Sequence, residues 1–279
     1  MSRLASVCKL FIALSLPSVM LLAHATPAPA EDAKPLRALL VLGGCCHDYA
    51  HQKDILAKGI AERANVTVDI AYDPDSGTKH LNPVYANPKW YEGYDVIIHD
   101  ECSADVKDLK VIDGILKPHR EGVPAVLLHC AMHCYRSEGW PKEVTPWFEF
   151  TGLFTTHHNA QIPIEITYEK NAERGGEILK GLSDWTTIHE ELYINEKDKL
   201  LGAAQPLARG KQTAKNGHVD ESTVAWTNLY NGKTRVFGTT LGHNNETCAD
   251  GRYLDLVTRG LLWSVDKLDD AHLKPAKSK

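Results

Sequence analysis

No internal period, low-complexity tract or flexible linker divides these 279 residues. That argues against a repeat array or a string of small domains. An excess of positive charge is missing too: the formal net charge is −5, which disfavours nucleic acid or an anionic membrane as partner. The chain also lacks an apolar run long enough for a permanent membrane span, which takes about 20 residues. Its one candidate, Leu10 to Leu22, follows Arg3 and Lys9 and ends on the small-x-small pattern Ala23-His24-Ala25. Those are the marks of a secretory signal peptide at 1–25, so the expectation is an exported protein, periplasmic or extracellular, without a stable membrane anchor. Cleavage removes two cations and no acid, moving the charge from −5 to −7. Residues 26–34 then read as a flexible Pro/Ala leader, 35–270 as one domain with 43% apolar content over the chain to supply its core, and 271–279 as a disordered tail.

What the chain does have is apolar runs that open directly into reactive side chains. Ala125 to Leu128 leads into His129-Cys130-Ala131-Met132-His133-Cys134, Ala38 to Leu42 into Gly43-Gly44-Cys45-Cys46-His47-Asp48, and Val96 to Ile98 into His99-Asp100-Glu101-Cys102. Open α/β sheets bind ligands beyond the carboxyl ends of their strands, so three such junctions predict a site there. The alternation supports that frame. Leu36 to Leu42, Val66 to Tyr72, Asp95 to His99 and Pro124 to Leu128 read as strands, with helical spacing over Gln52 to Ala64 and Asp105 to Glu121. Further on, Ile162 to Tyr168 reads as a strand, and Val224 to Tyr230 and Thr234 to Thr240 flank Asn231-Gly232, the dipeptide of a type I′ hairpin. Arg252 to Val265 closes as an amphipathic helix. The predicted fold is α/β, a flavodoxin-like three-layer sandwich with a mainly parallel central sheet and an antiparallel hairpin extension.

Two chemistries fit the first junction. Cys130 stands where a nucleophile elbow would place a thiol, on a strand-to-helix turn near a helix N-terminus. The stretch Leu128 to His133 aligns with the Gly-x-Cys-x-Gly-His pattern of class I glutamine amidotransferases, but it puts His129 and Met132 into the turn that small residues relieve of strain, and no downstream His-Pro-Glu follows. The fold analogy survives and a glutaminase does not. Metal binding is the second chemistry: His47, His129, His133 and Glu190 offer imidazoles and a carboxylate for a divalent ion such as zinc. The chain has no His-Glu-x-x-His helix, and a polar sugar pocket would collect the same residue types. Six cysteines remain after cleavage, an even number that suits disulfides in an oxidising compartment; Cys102 or Cys46 could pair with Cys130, and connectivity stays open. Trp147, Phe148 and Phe150 could stack on a sugar or fill the core.

In order along the chain, Gly43-Gly44 with His47-Asp48, Leu128 to Ala131, Phe154 to His157, Gly181 to Trp185, Glu190 to Tyr193, Val224 to Trp226, Arg235 to Phe237, Leu241 to His243 and Arg259 to Trp263 resemble the trehalose-utilisation (ThuA-like) family over nearly the whole mature chain. That resemblance implies a class I amidotransferase-like fold and a small-molecule carbohydrate as partner, in particular a 3-keto derivative of trehalose or another disaccharide. A carbonyl beside an acidic C–H permits enolisation, isomerisation or elimination, each needing a base and an electrophile. The catalytic candidates are His129, His243, Glu191 and Cys130, with His129 or His243 as base and a metal or a protonated His47 polarising the carbonyl. The candidates for holding substrate are His47, Asp48, Tyr135, Arg136, His157 and Asn244. Two other readings stand beside the keto-sugar enzyme: a non-catalytic sugar- or partner-binding module, and a Cys130-dependent hydrolase.

Overall fold

The computed structural model describes residues 34–275, apart from the side chains of 196–199. The expected signal peptide at 1–25 and all but the last residue of the expected leader lie outside the described residues. In chain order the elements are β1 (Leu36–Gly44), α1 (Tyr49–Arg63), β2 (Val66–Asp73), β3 (Val96–Cys102), α2 (Leu109–Glu121), β4 (Ala125–Leu128), α3 (Pro146–Thr151), β5 (Leu153–His158), β6 (Glu165–Tyr168), β7 (Trp185–Thr186), β8 (Tyr193–Leu200), β9 (Gln205–Thr213), β10 (Val219–Tyr230), β11 (Thr234–Thr239), α4 (Asn245–Ala249) and α5 (Gly251–Ser264).

Continuous apolar runs make β1, β3 and β4 because these strands are buried on both faces, and an inner parallel strand has no solvent side to keep polar. Nine strands form one sheet in the order β2-β1-β3-β4-β11-β10-β9-β6-β7. The first five are mutually parallel, and their sequence of first appearance gives the flavodoxin-like order 2-1-3-4-5. The last four join antiparallel. The hairpin turn between β10 and β11 has positive φ at both Asn231 (51°) and Gly232 (69°), as the type I′ geometry requires. Strands β5 and β8 pair as a separate two-stranded sheet, which the sequence reading did not foresee.

Helices α1 and α5 cover one face, where Leu56, Ile60, Leu261 and Leu262 pack on Leu40, Leu42, Ile98 and Val126. Helices α2 and α3 cover the other, with Ile112, Leu116, Trp147 and Phe150 on Ala125 and Leu127. Trp147, Phe148 and Phe150 are fully buried, and the Trp147 indole N–H donates to the Ala131 carbonyl at 2.7 Å. These aromatics are core and form no sugar-stacking wall.

Boundaries move for local reasons. The helix expected from Asp105 starts at Leu109, because the Asp108 carboxylate accepts the Lys110 N–H at 2.8 Å and caps it. The strand expected to end at His99 continues to Cys102. Within the expected tail, Leu273 bridges to Ala64, while 276–279 lie outside the described residues. Among the described residues no helix is long and apolar enough to cross a membrane.

Candidate functional site

Left-handed backbone gathers at the carboxyl ends of β1, β4 and β11: Gly43, Gly44 and Cys46 after the first, His129 after the second, Gly242 after the third. A Cβ on Gly44 would collide with the Cys102 carbonyl, so glycine is what lets the end of β1 close on β3. Strained turns of this kind cost about 1–3 kcal/mol each and collect where function requires them. Here they aim side chains into a cavity of about 230 Å³ lined by His47, His133, His158, His243, Glu191, Tyr193, Arg136, Thr78, Ala104 and four cysteines. A larger hollow of about 520 Å³ near Arg63, Lys180 and Arg259 contains neither histidine nor cysteine.

His47 sits edge-on to both His129 and His243, with ring centroids 4.7 Å away in each case, and those two are 5.3 Å apart. The His129 Nδ1–H donates to the Thr240 carbonyl at 2.6 Å. That contact places a proton on Nδ1 and turns Nε2 toward the Tyr193 hydroxyl, 3.3 Å away. Glu191 Oε2 lies 3.6 Å from His129 Nε2, 3.6 Å from His158 Nδ1 and 3.1 Å from His243 Nδ1. His129 Nε2 and the Glu191 carboxylate therefore face each other across a gap that a proton or a cation would bridge. Tyr193 is the common wall, stacked on His133 at 4.2 Å and on His158 at 5.4 Å.

Charges follow from these contacts. Burial opposes ionisation of Glu191, but its contacts with His129 and His243 outweigh that and hold the carboxyl well below the usual range. Burial likewise opposes a proton on His243, and its Glu191 partner overcomes it and raises the pKa. Burial, reinforced by His129 and His243, takes His47 down to about 2. His47 is thus neutral near pH 7, and the expected protonated His47 is corrected: His243 is the imidazole that Glu191 favours in charged form. Burial, with Arg136 and His158 adding to it, also keeps His133 neutral.

The structure brings together His47, His129, His133, His243, Glu191, Cys130 and Arg136 from the predicted set. It disperses the others. Glu190 is fully buried, and its two oxygens accept the backbone N–H groups of Gly242, His243 and Glu191 at 3.0 to 3.2 Å; it clamps the His243 turn and has no place in a metal shell. His133 points at Thr155 and Tyr193, so the imidazoles whose ligand atoms lie within 4.8 Å of one another are His47, His129 and His243. His129 and His133 are four residues apart but are not α-helical neighbours, because His129–His133 is a 3-10 turn. Tyr135 is buried with its hydroxyl on Glu101 at 2.9 Å. Asp48 is half-exposed and bonded to His51 and Asn245. Asn244 bonds to the His189 carbonyl and Gln161 beside the cavity. His157 is exposed on the outer side of β5, and His158 lines the cavity instead. Cys130 is disulfide-bonded to Cys102, and Cys45 to Cys46; in this state Cys130 is no nucleophile.

Tyr193, His158 and Gln161, whose amide nitrogen is 2.8 Å from His243 Nε2, were missed. Tyr193 lies in a motif already quoted, two residues past Glu191, and alternation along its strand was the signal that could have marked it.

The profile of the ThuA family, described as trehalose utilisation, matches residues 37–264. Solved structures agree on the fold. A ThuA-like protein from Parabacteroides merdae is 19% identical, with TM-score 0.59, over 83% of this chain and 90% of that one. A ThuA-like protein from Bacteroides uniformis is 17% identical, with TM-score 0.59, over 85% and 95%. A GH42 beta-galactosidase from G. stearothermophilus matches at 10% identity and TM-score 0.50, over 84% of this chain and 30% of that one. No curated protein matches the chain.

Proposed function

Because the chain belongs to the ThuA trehalose-utilisation family, we propose that its histidine cavity is the active site of a carbohydrate enzyme acting beside a carbonyl group, with a keto-sugar or 3-keto-disaccharide as substrate. One observation carries this reading: His129, fixed through Nδ1 by the Thr240 carbonyl, turns Nε2 toward the Glu191–His243 pair. A positioned imidazole lone pair is a general base for a proton on the carbon next to the carbonyl. His243, paired through Nδ1 with Glu191, accepts the Gln161 amide N–H at Nε2; once substrate displaces Gln161, the Nε2 of a protonated His243 donates to the carbonyl oxygen. Tyr193, pushed up by burial and by Glu191, keeps its hydroxyl proton and steadies His129. The cavity of about 230 Å³ is below the roughly 300–1,000 Å³ of drug-sized ligand pockets, which suits one ring entering while the rest of the sugar stays outside. Two disulfides support action after export, in an oxidising compartment.

The test is turnover of a 3-keto-disaccharide by the purified chain, followed by NMR. Turnover that falls about 100-fold in His129→Ala is the expected outcome for a lost acid–base group. A folded chain that binds the sugar and leaves it unchanged would replace this proposal with the binding-module reading.

A second reading keeps the same residues and adds an ion. His47 Nδ1 is buried without a hydrogen-bond partner, and His129 has the carbonyl-oriented geometry of a metal-ligating imidazole. His47, His129 and His243 therefore fit a divalent ion such as zinc, which when bound would polarise the carbonyl as a Lewis acid. Elemental analysis of the purified chain checks it: one ion per chain, lost in His47→Ala, supports the centre, and sub-stoichiometric metal removes it.

A further inference from the structure

Four sulfurs stand in a row across the mouth of the cavity. Cys45 and Cys46 follow β1, Cys102 ends β3 and Cys130 follows β4, three adjacent strands of the sheet. Cys46 is bonded to Cys45, and Cys102 to Cys130. Between the two disulfides, the sulfur of Cys45 lies 3.3 Å from that of Cys102. Access is graded along the row: Cys46 is exposed and Cys45 half-buried, whereas Cys102 is 3% and Cys130 5% exposed. Cys134 and Cys248, the free cysteines among the described residues, are buried, and Cys134 is engaged with the Glu101 carbonyl and the Ser103 N–H.

We propose that this row is a thiol–disulfide relay, which takes two electrons from a dithiol reductant at Cys46 and releases a thiol at Cys130 inside the cavity. Exchange proceeds by thiolate attack on one sulfur of a disulfide with departure of the other. A thiolate of the dithiol attacks the exposed Cys46 sulfur, forms a mixed disulfide and expels Cys45 as thiolate. Cys45 attacks Cys102, forming the Cys45–Cys102 disulfide and expelling Cys130 as thiolate. The second thiol of the dithiol then resolves the mixed disulfide, freeing Cys46 and closing the reductant's own disulfide. Two electrons and two protons pass from the dithiol to the chain. One disulfide remains in the protein, and Cys46 and Cys130 end as thiols.

The released Cys130 has a chemical neighbourhood already built. A ligand atom from each of His47, Cys102 and Cys130 falls within one 4.8 Å group, so the released thiol faces the histidine cavity. The reductant suited to the outer end is a dithiol of the thioredoxin type, since a single exposed sulfur must be attacked and then resolved.

Disulfide mapping of the purified chain tests the relay without any sugar substrate, so its outcome is independent of the proposed reaction. The native protein is treated with limiting dithiothreitol, alkylated, and digested for mass spectrometry. Expected are alkylated Cys46 and Cys130 together with a Cys45–Cys102 cross-linked peptide. Alkylated Cys45 and Cys46 with Cys102–Cys130 intact would overturn the proposal, as would Cys102 and Cys130 reduced first. Two variants move in opposite directions. Cys45→Ser breaks the row and slows alkylation of Cys130 at least about tenfold, the access then depending on direct attack at a buried disulfide. Cys46→Ser leaves Cys45 free to displace Cys130, so Cys130 is alkylated with no reductant added. Labelling of Cys130 in Cys46→Ser that still requires reductant overturns the relay even if Cys45→Ser fails to fold.

Discussion

Two histidine–carboxylate clusters sit within the same sheet, one inside the core and one at its edge. In the core, Glu101 Oε1 accepts from Tyr85 at 2.6 Å, from Tyr135 at 2.9 Å and from His99 Nδ1 at 3.1 Å. The other His99 nitrogen is 3.0 Å from His119 Nε2, and His119 Nδ1–H donates to the Val123 carbonyl at 2.8 Å. Both imidazoles use both nitrogens, and the atom of this cluster left unpartnered is Glu101 Oε2. Burial opposes the charge on Glu101, yet His99 outweighs it and keeps the carboxyl low. At the edge, the same residue types leave His47 Nδ1 without a partner and hold His129 Nε2 3.6 Å from a carboxylate. The comparison teaches that residue chemistry alone does not mark a site: an unpartnered imidazole nitrogen on a residue that lines a cavity does.

The largest effect tests the core cluster. Glu101→Ala removes the buried partner of His99, Tyr85 and Tyr135, and breaking a buried pair from one side costs about 3–5 kcal/mol; a urea midpoint that moves little would show that the cluster is not what holds β3 in place. At the edge the weights reverse. His243→Ala, at a partly exposed position, should change stability by about 1 kcal/mol or less while turnover falls about 100-fold. His129 is 1% exposed, so His129→Ala loses packing as well as chemistry, and its melting temperature should drop further than that of His243→Ala. Equal losses of stability in both would blur the distinction between the clusters.

Acid probes both regions together. His47 at about 2 and His119 at about 3, both lowered chiefly by burial, bind fewer protons folded than unfolded, so their contribution is present above about pH 6.5 and is lost as pH falls below it. The lowered carboxyl of Glu191 adds a loss below its unfolded value of about 4.3. His243, raised in the fold, works the other way: its contribution is full below about pH 6.5 and disappears as pH rises through the folded value. Melting temperature should therefore decline from pH 7 towards 4, and the alkaline arm should vanish in Glu191→Gln. The smallest effect is expected from Tyr193→Phe, which keeps the stacking on His133 and removes one hydroxyl; stability should shift by about 0.5–1.5 kcal/mol and turnover only several-fold, measured on the same keto-sugar.

The parallel half of the fold was legible because β1, β3 and β4 carry unbroken apolar runs and β2 alternates, and the hairpin because Asn231-Gly232 suits a type I′ turn. Strands β5, β8 and β9 were not, since their sequences carry no apolar run of that kind. Site residues were legible where they follow a strand end and illegible within one. His129 comes directly after β4, and His47 three residues after β1. His99 falls inside β3, because the charged residues that suggested a strand end are themselves buried. The choices of His157 over His158 and of Glu190 as a metal ligand rest on one-residue offsets, and on an extended chain neighbours face opposite ways. Nothing local distinguishes two adjacent histidines or two adjacent glutamates before the partner strands are in place.

The Glu190 clamp reaches further than its own contacts. It ties the segment entering β8 to the turn leaving β11, so the His243 imidazole, carried by the parallel half, takes its position from an acid carried by the additional strands. A swap of those strands for another ThuA-like protein's would therefore reset His243 as well. Under the proposed reaction, what those strands admit and what His243 does are inherited as one piece.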